Sequence, residues 1–292
     1  MVQSAVEGLG PRVSRETSMT EIFAIANQKG GVGKTTTAVN LASALAFLGQ
    51  ETLLVDMDPQ GNATSALGIS KRSIKTTVYP VLVEETLIES AIFKSPMEWL
   101  DVLPSNSDLT GAEIELVGAM ARETRLKTAL GQVRGMYRFV IIDCPPSLGL
   151  LTLNALTAAT KLLVPIQCEY FAMEGLAQLM DTFRRVRQAL NPSLEFEGGV
   201  LTMFDSRVLL GTQVRGEIEK YFGDKLFKTF VPRNVRLAEA PSFGQPIFIY
   251  DPKSRGSEAY MDLAIELLSR RSGAHLAPVA EFKSRFFVKD LH

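Results

Sequence analysis

Ten consecutive residues, Asn27-Gln28-Lys29-Gly30-Gly31-Val32-Gly33-Lys34-Thr35-Thr36, put three glycines, two lysines and two threonines between an apolar run and a stretch with helical spacing. Glycine lets a backbone curl until successive N–H groups converge on anionic oxygens. The start of a following helix adds partial positive charge at the same point. The chemistry implied is the cradling of a nucleotide's phosphates. Lys34 supplies a point charge for the β- and γ-phosphates, and the Thr35 hydroxyl is a Mg²⁺ ligand. The general phosphate-loop pattern asks for one more glycine at position 28. This chain has Gln28 there and carries an additional lysine, Lys29, inside the loop.

Carboxylates stand at two other places where apolar runs end. Leu54-Val55-Asp56-Met57-Asp58-Pro59-Gln60-Gly61-Asn62 puts Asp56 and Asp58 at the carboxyl edge of a strand, the edge at which α/β sheets bind ligands. Phe139-Val140-Ile141-Ile142-Asp143-Cys144-Pro145-Pro146 has the form of a Walker-B strand, so Asp143 is expected to hold Mg²⁺ through water. The plainer reading of Asp143 is a cap for the next helix. Pro145 and Pro146 stiffen the turn that follows, and Cys144 reads as a small buried side chain.

These residues need a scaffold of strands and helices in alternation. Apolar runs at Ile22–Asn27, Thr52–Met57, Leu100–Leu103, Phe139–Ile142, Lys161–Ile166, Gly199–Met203 and Leu226–Val231 predict strands. Helical spacing appears at Thr35–Leu48, Arg122–Val133, Glu174–Leu190 and Thr212–Phe222. The expected fold is α/β: a single-domain P-loop NTPase whose mainly parallel, twisted sheet is covered by helices on both faces. No linker or repeat interrupts it. Residues 1–20 read as a flexible leader, 21–270 as the ATPase domain and 271–292 as a C-terminal tail.

Composition excludes several classes. With 46% hydrophobic and 22% charged residues among 292, the chain can bury a sizeable core. Its net charge of −1 means that any nucleic-acid contact must come from a local patch. The two cysteines, Cys144 and Cys168, form no CxxC pair and argue against a zinc site or an iron–sulfur cluster. The longest apolar stretch, Leu148 to Ile166, is broken by Asn154, Lys161 and several threonines and reads as helix then strand. A soluble, cytoplasmic protein without a signal peptide is expected.

The KGGVGKTT loop resembles the deviant Walker-A ATPases, the ParA/Soj and MinD proteins among them. Beyond it, DMDPQGNATSALG, GAEIEL, IIDCPPSLGLLTLNALTAA, PIQCEYFAMEGL, VLTMFDSR, VPRNVRLAEAPSFGQPI and YDPKSRGSEAY resemble the chromosomal ParA/Soj proteins over roughly residues 20 to 270. That resemblance implies an ATPase using ATP/ADP and Mg²⁺, with Lys29, Gly30, Gly31, Val32, Gly33, Lys34, Thr35 and Thr36 around the phosphates. It implies that Lys29 reaches across a homodimer closed by ATP to the partner's nucleotide. Asp58 matches the acid that positions the attacking water, and Asp56 one that lies near the metal. An exposed aspartate has a pKa near 4, so orientation of the water is favoured over proton abstraction. Pro232 and Asn234 in VPRN match residues lining the base, and Arg207 and Arg236 match arginines on a face that binds double-stranded DNA without sequence preference. A ParB-like protein stimulates hydrolysis in that family, whose members associate with the nucleoid.

Charge between Asp205 and Arg255, nine basic against six acidic residues, is compatible with that patch, although such an excess is usually a solvated face. Phe243 and Gln245 occupy positions that are often His and basic in relatives. Only 28 residues precede Lys29, so no helix-turn-helix domain is expected ahead of the loop. The competing reading is a MinD-like membrane-cycling ATPase. Its support is Phe282 and Phe286, spaced i and i+4 with basic residues between them. Pro278 limits that segment, and docking on the protein's own surface is its plainer explanation, so membrane association is not expected.

Overall fold

Apolar residues on alternate sides of each strand require cover on both faces, and the fold supplies it. The computed structural model describes residues 19–169, 172–205 and 207–271. Its strands are β1 (Glu21–Ile25), β2 (Thr52–Asp56), β3 (Phe93–Lys94), β4 (Leu100–Leu103), β5 (Phe139–Asp143), β6 (Lys161–Gln167) and β7 (Glu195–Thr202). They form one sheet in the order β3-β4-β2-β5-β1-β6-β7. Among the described residues only the β3–β4 pairing of strands is antiparallel. The first six helices are α1 (Lys34–Phe47), α2 (Asn62–Ala66), α3 (Val78–Val83), α4 (Leu109–Glu115), α5 (Arg125–Gln132) and α6 (Leu150–Ala158). They are followed by α7 (Ala172–Ala189), α8 (Leu209–Phe222), α9 (Val235–Glu239), α10 (Ile247–Tyr250) and α11 (Arg255–Ser269).

Two cores result. Ala24, Val55, Val140, Ile142 and Val164 face a layer that includes α3 to α8. Phe23, Ile25, Leu54, Ile141 and Leu163 face α1, α2 and α9 to α11. Helix α1 is buried along almost its whole length, which explains its all-round apolar composition. At the amino edge of the sheet Arg271 pairs with Glu21 at 2.9 Å and Glu197 at 3.1 Å, fastening the end of α11 to β1 and β7.

Six of the seven expected strands form, as does each expected helix, with shifts of a few residues at the ends. Leu226–Val231 is the exception. It runs beside β7 and touches it through one isolated parallel bridge, Gly199 to Leu226, with a second from Phe204 to Pro232 just past both segments, without a continuous ladder. The cause is Glu266 on α11, whose carboxylate accepts the N–H groups of Lys228 at 2.9 Å and Thr229 at 2.8 Å. The middle of the segment is thereby bonded to a helix side chain instead of the sheet.

Candidate nucleotide and metal site

Strand β1 lies between β5 and β6, so the chain leaving it emerges at the centre of the carboxyl edge. Asn27 anchors the exit. Its Nδ2 donates to the Pro165 carbonyl at 2.7 Å, and its Oδ1 accepts the Lys29 N–H at 3.0 Å. Gly31 and Gly33 have φ of 73° and 85°, the left-handed region that a side chain makes costly. The Thr202 hydroxyl at the end of β7 donates to the Val32 carbonyl at 2.7 Å and holds that half of the loop in place. Helix α1 then starts at Lys34 with Gly33 as its cap, no side-chain cap and no acid in its first turn. Its leading N–H groups therefore have no side-chain acceptor, and the partial positive charge is uncompensated.

Lys34 is buried and donates to the Lys29 carbonyl at 3.0 Å. Burial lowers its pKa, against the opposing pull of Asp143, Cys144 and Asp58. Asp143 ends β5, in register with Ile25 on one side and Asp56 on the other. It is wholly buried, and neither carboxylate oxygen has a hydrogen-bond partner in the protein. Burial first, then the neighbouring Asp56, push its pKa well above the usual carboxylate range, with Thr35 and Lys34 acting the other way. A buried carboxylate with open acceptor sites fits a bound cation, and the unclaimed helix start near it fits an anion.

Asp56 is also wholly buried, but its oxygens are occupied. Oδ1 accepts the Asp58 N–H at 3.1 Å, and Oδ2 accepts the Thr64 N–H at 2.8 Å and hydroxyl at 2.7 Å. Burial raises its pKa to about 6 against those hydrogen bonds. Three of a carboxylate's roughly four acceptor sites are thus filled. Asp56, expected near the metal, sits beside Asp143 with most of its acceptor sites taken, and Asp143 is the carboxylate with acceptor sites to offer. Among the described residues no group of three or more His, Cys, Asp or Glu side chains could hold a metal alone. That suits Mg²⁺, which prefers one or two carboxylates with substrate phosphates and water.

Asp58 is nearly buried, and its Oδ1 accepts the Gln60 N–H at 2.8 Å. Lys29 points to its own subunit's Glu169, 2.5 Å away. Pro232 bridges to Phe204, while the Asn234 side-chain oxygen caps α9 by accepting the Arg236 N–H at 2.8 Å, leaving its amide nitrogen as a donor. Arg207 and Arg236 do not meet at the phosphate loop. The exposed Arg207 side chain is paired with Asp205 at 2.7 Å, and Arg236 lies between Glu239 at 2.9 Å and Asp251 at 3.3 Å. A cavity of about 500 Å³ opens beside the loop between Thr35, Thr36, α2, Lys71 and residues 240–246. Burial raises the Cys144 thiol strongly and the Cys168 thiol to about 11, so neither is a nucleophile near neutral pH.

Sequence reasoning passed over Asn27, Thr64, Glu169 and Thr202, which fix the loop and its acids through contacts distant in the chain. It also passed over Lys71, Arg72 and Lys75, a basic segment after α2. Gly68 there approaches Gly244 so closely that a Cβ on Gly244 would stand 2.7 Å from the Gly68 Cα. The cluster KRSIK was a legible signal. Residues 1–18 of the leader and 272–292 of the tail, the Phe282/Phe286 segment among them, lie outside the described residues. Among the described residues no helix is long and apolar enough to cross a membrane.

A parallel sheet whose central strand feeds a glycine loop, a lysine at the start of a helix and a bare aspartate on the adjoining strand together define a P-loop nucleotide-binding protein. The model of a family described as an AAA domain matches residues 20–196. The sporulation initiation inhibitor protein Soj of Bacillus subtilis is 57% identical over 249 residues, 85% of this chain and 98% of its own. The chromosome partitioning protein ParA of Caulobacter vibrioides is 53% identical over 251 residues, 85% and 94% of the two chains. A solved cobyrinic acid a,c-diamide synthase from Mycobacterium smegmatis, with bound ADP and magnesium, superposes with a TM-score of 0.76 at 38% identity, covering 87% of this chain and 97% of that one. The chain belongs to the Soj/ParA family of P-loop ATPases. It is a Mg²⁺-dependent ATPase that binds ATP and ADP.

Proposed function

We propose that this ATPase segregates DNA by switching between a monomer and an ATP-closed homodimer. The observation that carries the reading is the Asp143 carboxylate, buried without partners beside Lys34 and the uncapped start of α1. Gly30 to Thr36 hold the phosphates, Lys34 meets their charge, and Thr35 with Asp143 holds the metal. Mg²⁺, when bound, supplies the positive charge that steadies the transferred phosphoryl group. Asp58 keeps its second carboxylate oxygen for a water, which it orients rather than deprotonates. Pro232 and the Asn234 amide line the base. Lys29 serves the nucleotide of the other copy, so ATP completes two sites at once when two chains meet.

The DNA-binding face is assigned to Arg207 and Arg236, supported by the basic segment Lys71, Arg72 and Lys75, of which Lys71 lines a cavity with residues 240–246. Both arginines stand in exposed ion pairs, which are individually weak, so a phosphate can take the place of the carboxylate. Contacts to phosphate carry no base information, and two copies on one duplex raise avidity steeply. Binding is therefore to double-stranded DNA of any sequence and belongs to the dimer. A ParB-like protein stimulates hydrolysis and releases the dimer. The working domain is 21–270, and the protein is cytoplasmic and nucleoid-associated. Co-sedimentation with duplex DNA in ATP, ADP or no nucleotide is the test. Binding with ATP alone is expected, and equal binding in all three conditions overturns the reading.

A further inference from the structure

We infer that Glu169 is a positioning residue that holds Lys29 within its own subunit and so sets the threshold for assembly of the dimer. The inference rests on the reading that Lys29 serves the partner's nucleotide. Lys29 is attached to the carboxyl end of β6 and the turn after it through both its backbone and its side chain. Asn27 bridges from the Pro165 carbonyl on β6 to the Lys29 N–H, at 2.7 and 3.0 Å. The Lys29 ammonium reaches Glu169 at 2.5 Å, just beyond the same strand. Glu169 is itself oriented by its neighbour. Its N–H donates to the Gln167 carbonyl at 2.9 Å in a tight turn, and the Gln167 amide nitrogen donates to its Oε1, leaving Oε2 for the lysine.

The pair is half exposed, with side-chain exposures of 33% for Lys29 and 49% for Glu169. An exposed pair of this kind is a weak hold, worth about a two- to five-fold bias. That strength suits a threshold, because the greater charge of a nucleotide's phosphates outcompetes a single carboxylate. Closing a two-fold dimer breaks two such pairs, one in each chain, so the bias is squared in the dimer dissociation constant. Removing it tightens the dimer by about four- to 25-fold.

The test is the dimer dissociation constant of the full-length chain with Mg²⁺ and a non-hydrolysable ATP analogue, measured by analytical ultracentrifugation. The chains compared are wild type, Glu169→Gln, Gln167→Leu and Lys29→Ala. Glu169→Gln is expected to dimerise at least about four-fold more tightly than wild type, and Gln167→Leu to shift the same way by less. Calorimetric affinity for ADP is expected to be unchanged in both. The ratio of wild type to Glu169→Gln is expected to shrink as salt rises from about 0.05 to 0.5 M, because salt screens the lost pair. A merely structural role would weaken the dimer and show no such convergence. A Glu169→Gln dimer that is no tighter than wild type, while Lys29→Ala fails to dimerise, overturns the inference and leaves the cross-subunit role standing. Lys29→Ala that dimerises like wild type overturns both.

Discussion

Asp143→Asn should change stability in opposite directions with and without nucleotide. The carboxylate is fully buried, has no hydrogen-bond partner and stands in register with Asp56. The nucleotide-free fold therefore carries most of its desolvation, offset only in part by Thr35 and Lys34. A buried carboxylate whose charge is only partly offset costs several kcal/mol, whereas an unsatisfied neutral amide of the same shape costs about 1–3 kcal/mol. The substitution should stabilise the nucleotide-free protein by about 1–3 kcal/mol. At about 2–4 °C per kcal/mol for a domain of this size, Tm should rise by about 2–12 °C. With ATP and Mg²⁺ the order reverses. At ligand one hundred times its Kd the wild type gains about 2.7 kcal/mol, about 5–11 °C. The variant lacks the carboxylate for the metal and should show a clearly smaller shift, with hydrolysis lower by about 10²–10³-fold. Thermal unfolding without nucleotide, with ATP and Mg²⁺, and with ATP and EDTA reads all three quantities. A lower nucleotide-free Tm in the variant, or a full Mg²⁺-dependent shift, would refute the assignment of Asp143 as the metal carboxylate.

Lys34→Ala should weaken ATP binding by about 10- to 100-fold, the loss of a charge-assisted contact, and unchanged affinity in calorimetry would end the phosphate-loop assignment. Lys29→Ala should bind ATP yet stay monomeric, and Asp58→Ala should form an ATP dimer that persists because hydrolysis stalls. Light scattering over time separates the two, and a short-lived Asp58→Ala dimer would remove Asp58 from catalysis. Arg207→Ala with Arg236→Ala should weaken ATP-dependent binding to every duplex and flatten the salt dependence by about one unit of slope per lost contact, leaving ADP affinity intact. Lys71→Glu with Arg72→Glu should do the same if the basic segment belongs to that face, and unaltered DNA affinity would exclude it.

The strands and the phosphate loop were legible because both are local signals. An apolar run ending in Gly-Gly-Val-Gly-Lys-Thr states its period and its chemistry within about fifteen residues. Leu226–Val231 carried the same apolar signal but did not join the ladder, because Glu266, some forty residues later, competes for its N–H groups. β3 has two residues and no period to read, and α2, α9 and α10 are each five residues or fewer. Arg207 and Arg236 were found by resemblance, while the acids that neutralise them depend on side-chain geometry. Asp205 pairs with Arg207 two residues away and is drawn down to about 2 by that contact. Asp251 meets Arg236 only through the return of the chain after α10.

The two aspartates that end β2 and β5 show how far one sequence signal can divide once folded. Both follow a run of apolar residues, both are wholly buried, and they face each other in register. What separates them is the next turn. After Asp56 the chain curls back so that Asp58 N–H and Thr64 reach its oxygens, and the Thr64 hydroxyl in turn accepts the Ser105 N–H at 2.9 Å. One carboxylate thus ties together the Asp58 turn, α2 and the segment leaving β4. Lys71 adds a bond to the Gln60 carbonyl at 2.6 Å, so the turn bearing Asp58 is also tied to a lysine that lines the cavity with residues 240–246. After Asp143 the chain continues into Cys144, Pro145 and Pro146. The two prolines have no N–H to give, and no group folds back to satisfy the carboxylate. The absence of donors leaves the Asp143 acceptor sites open, and their abundance makes Asp56 a rigid support for the turn that bears Asp58. An open carboxylate and a tethered one are distinguished here by the hydrogen bonds that the following residues are able to make.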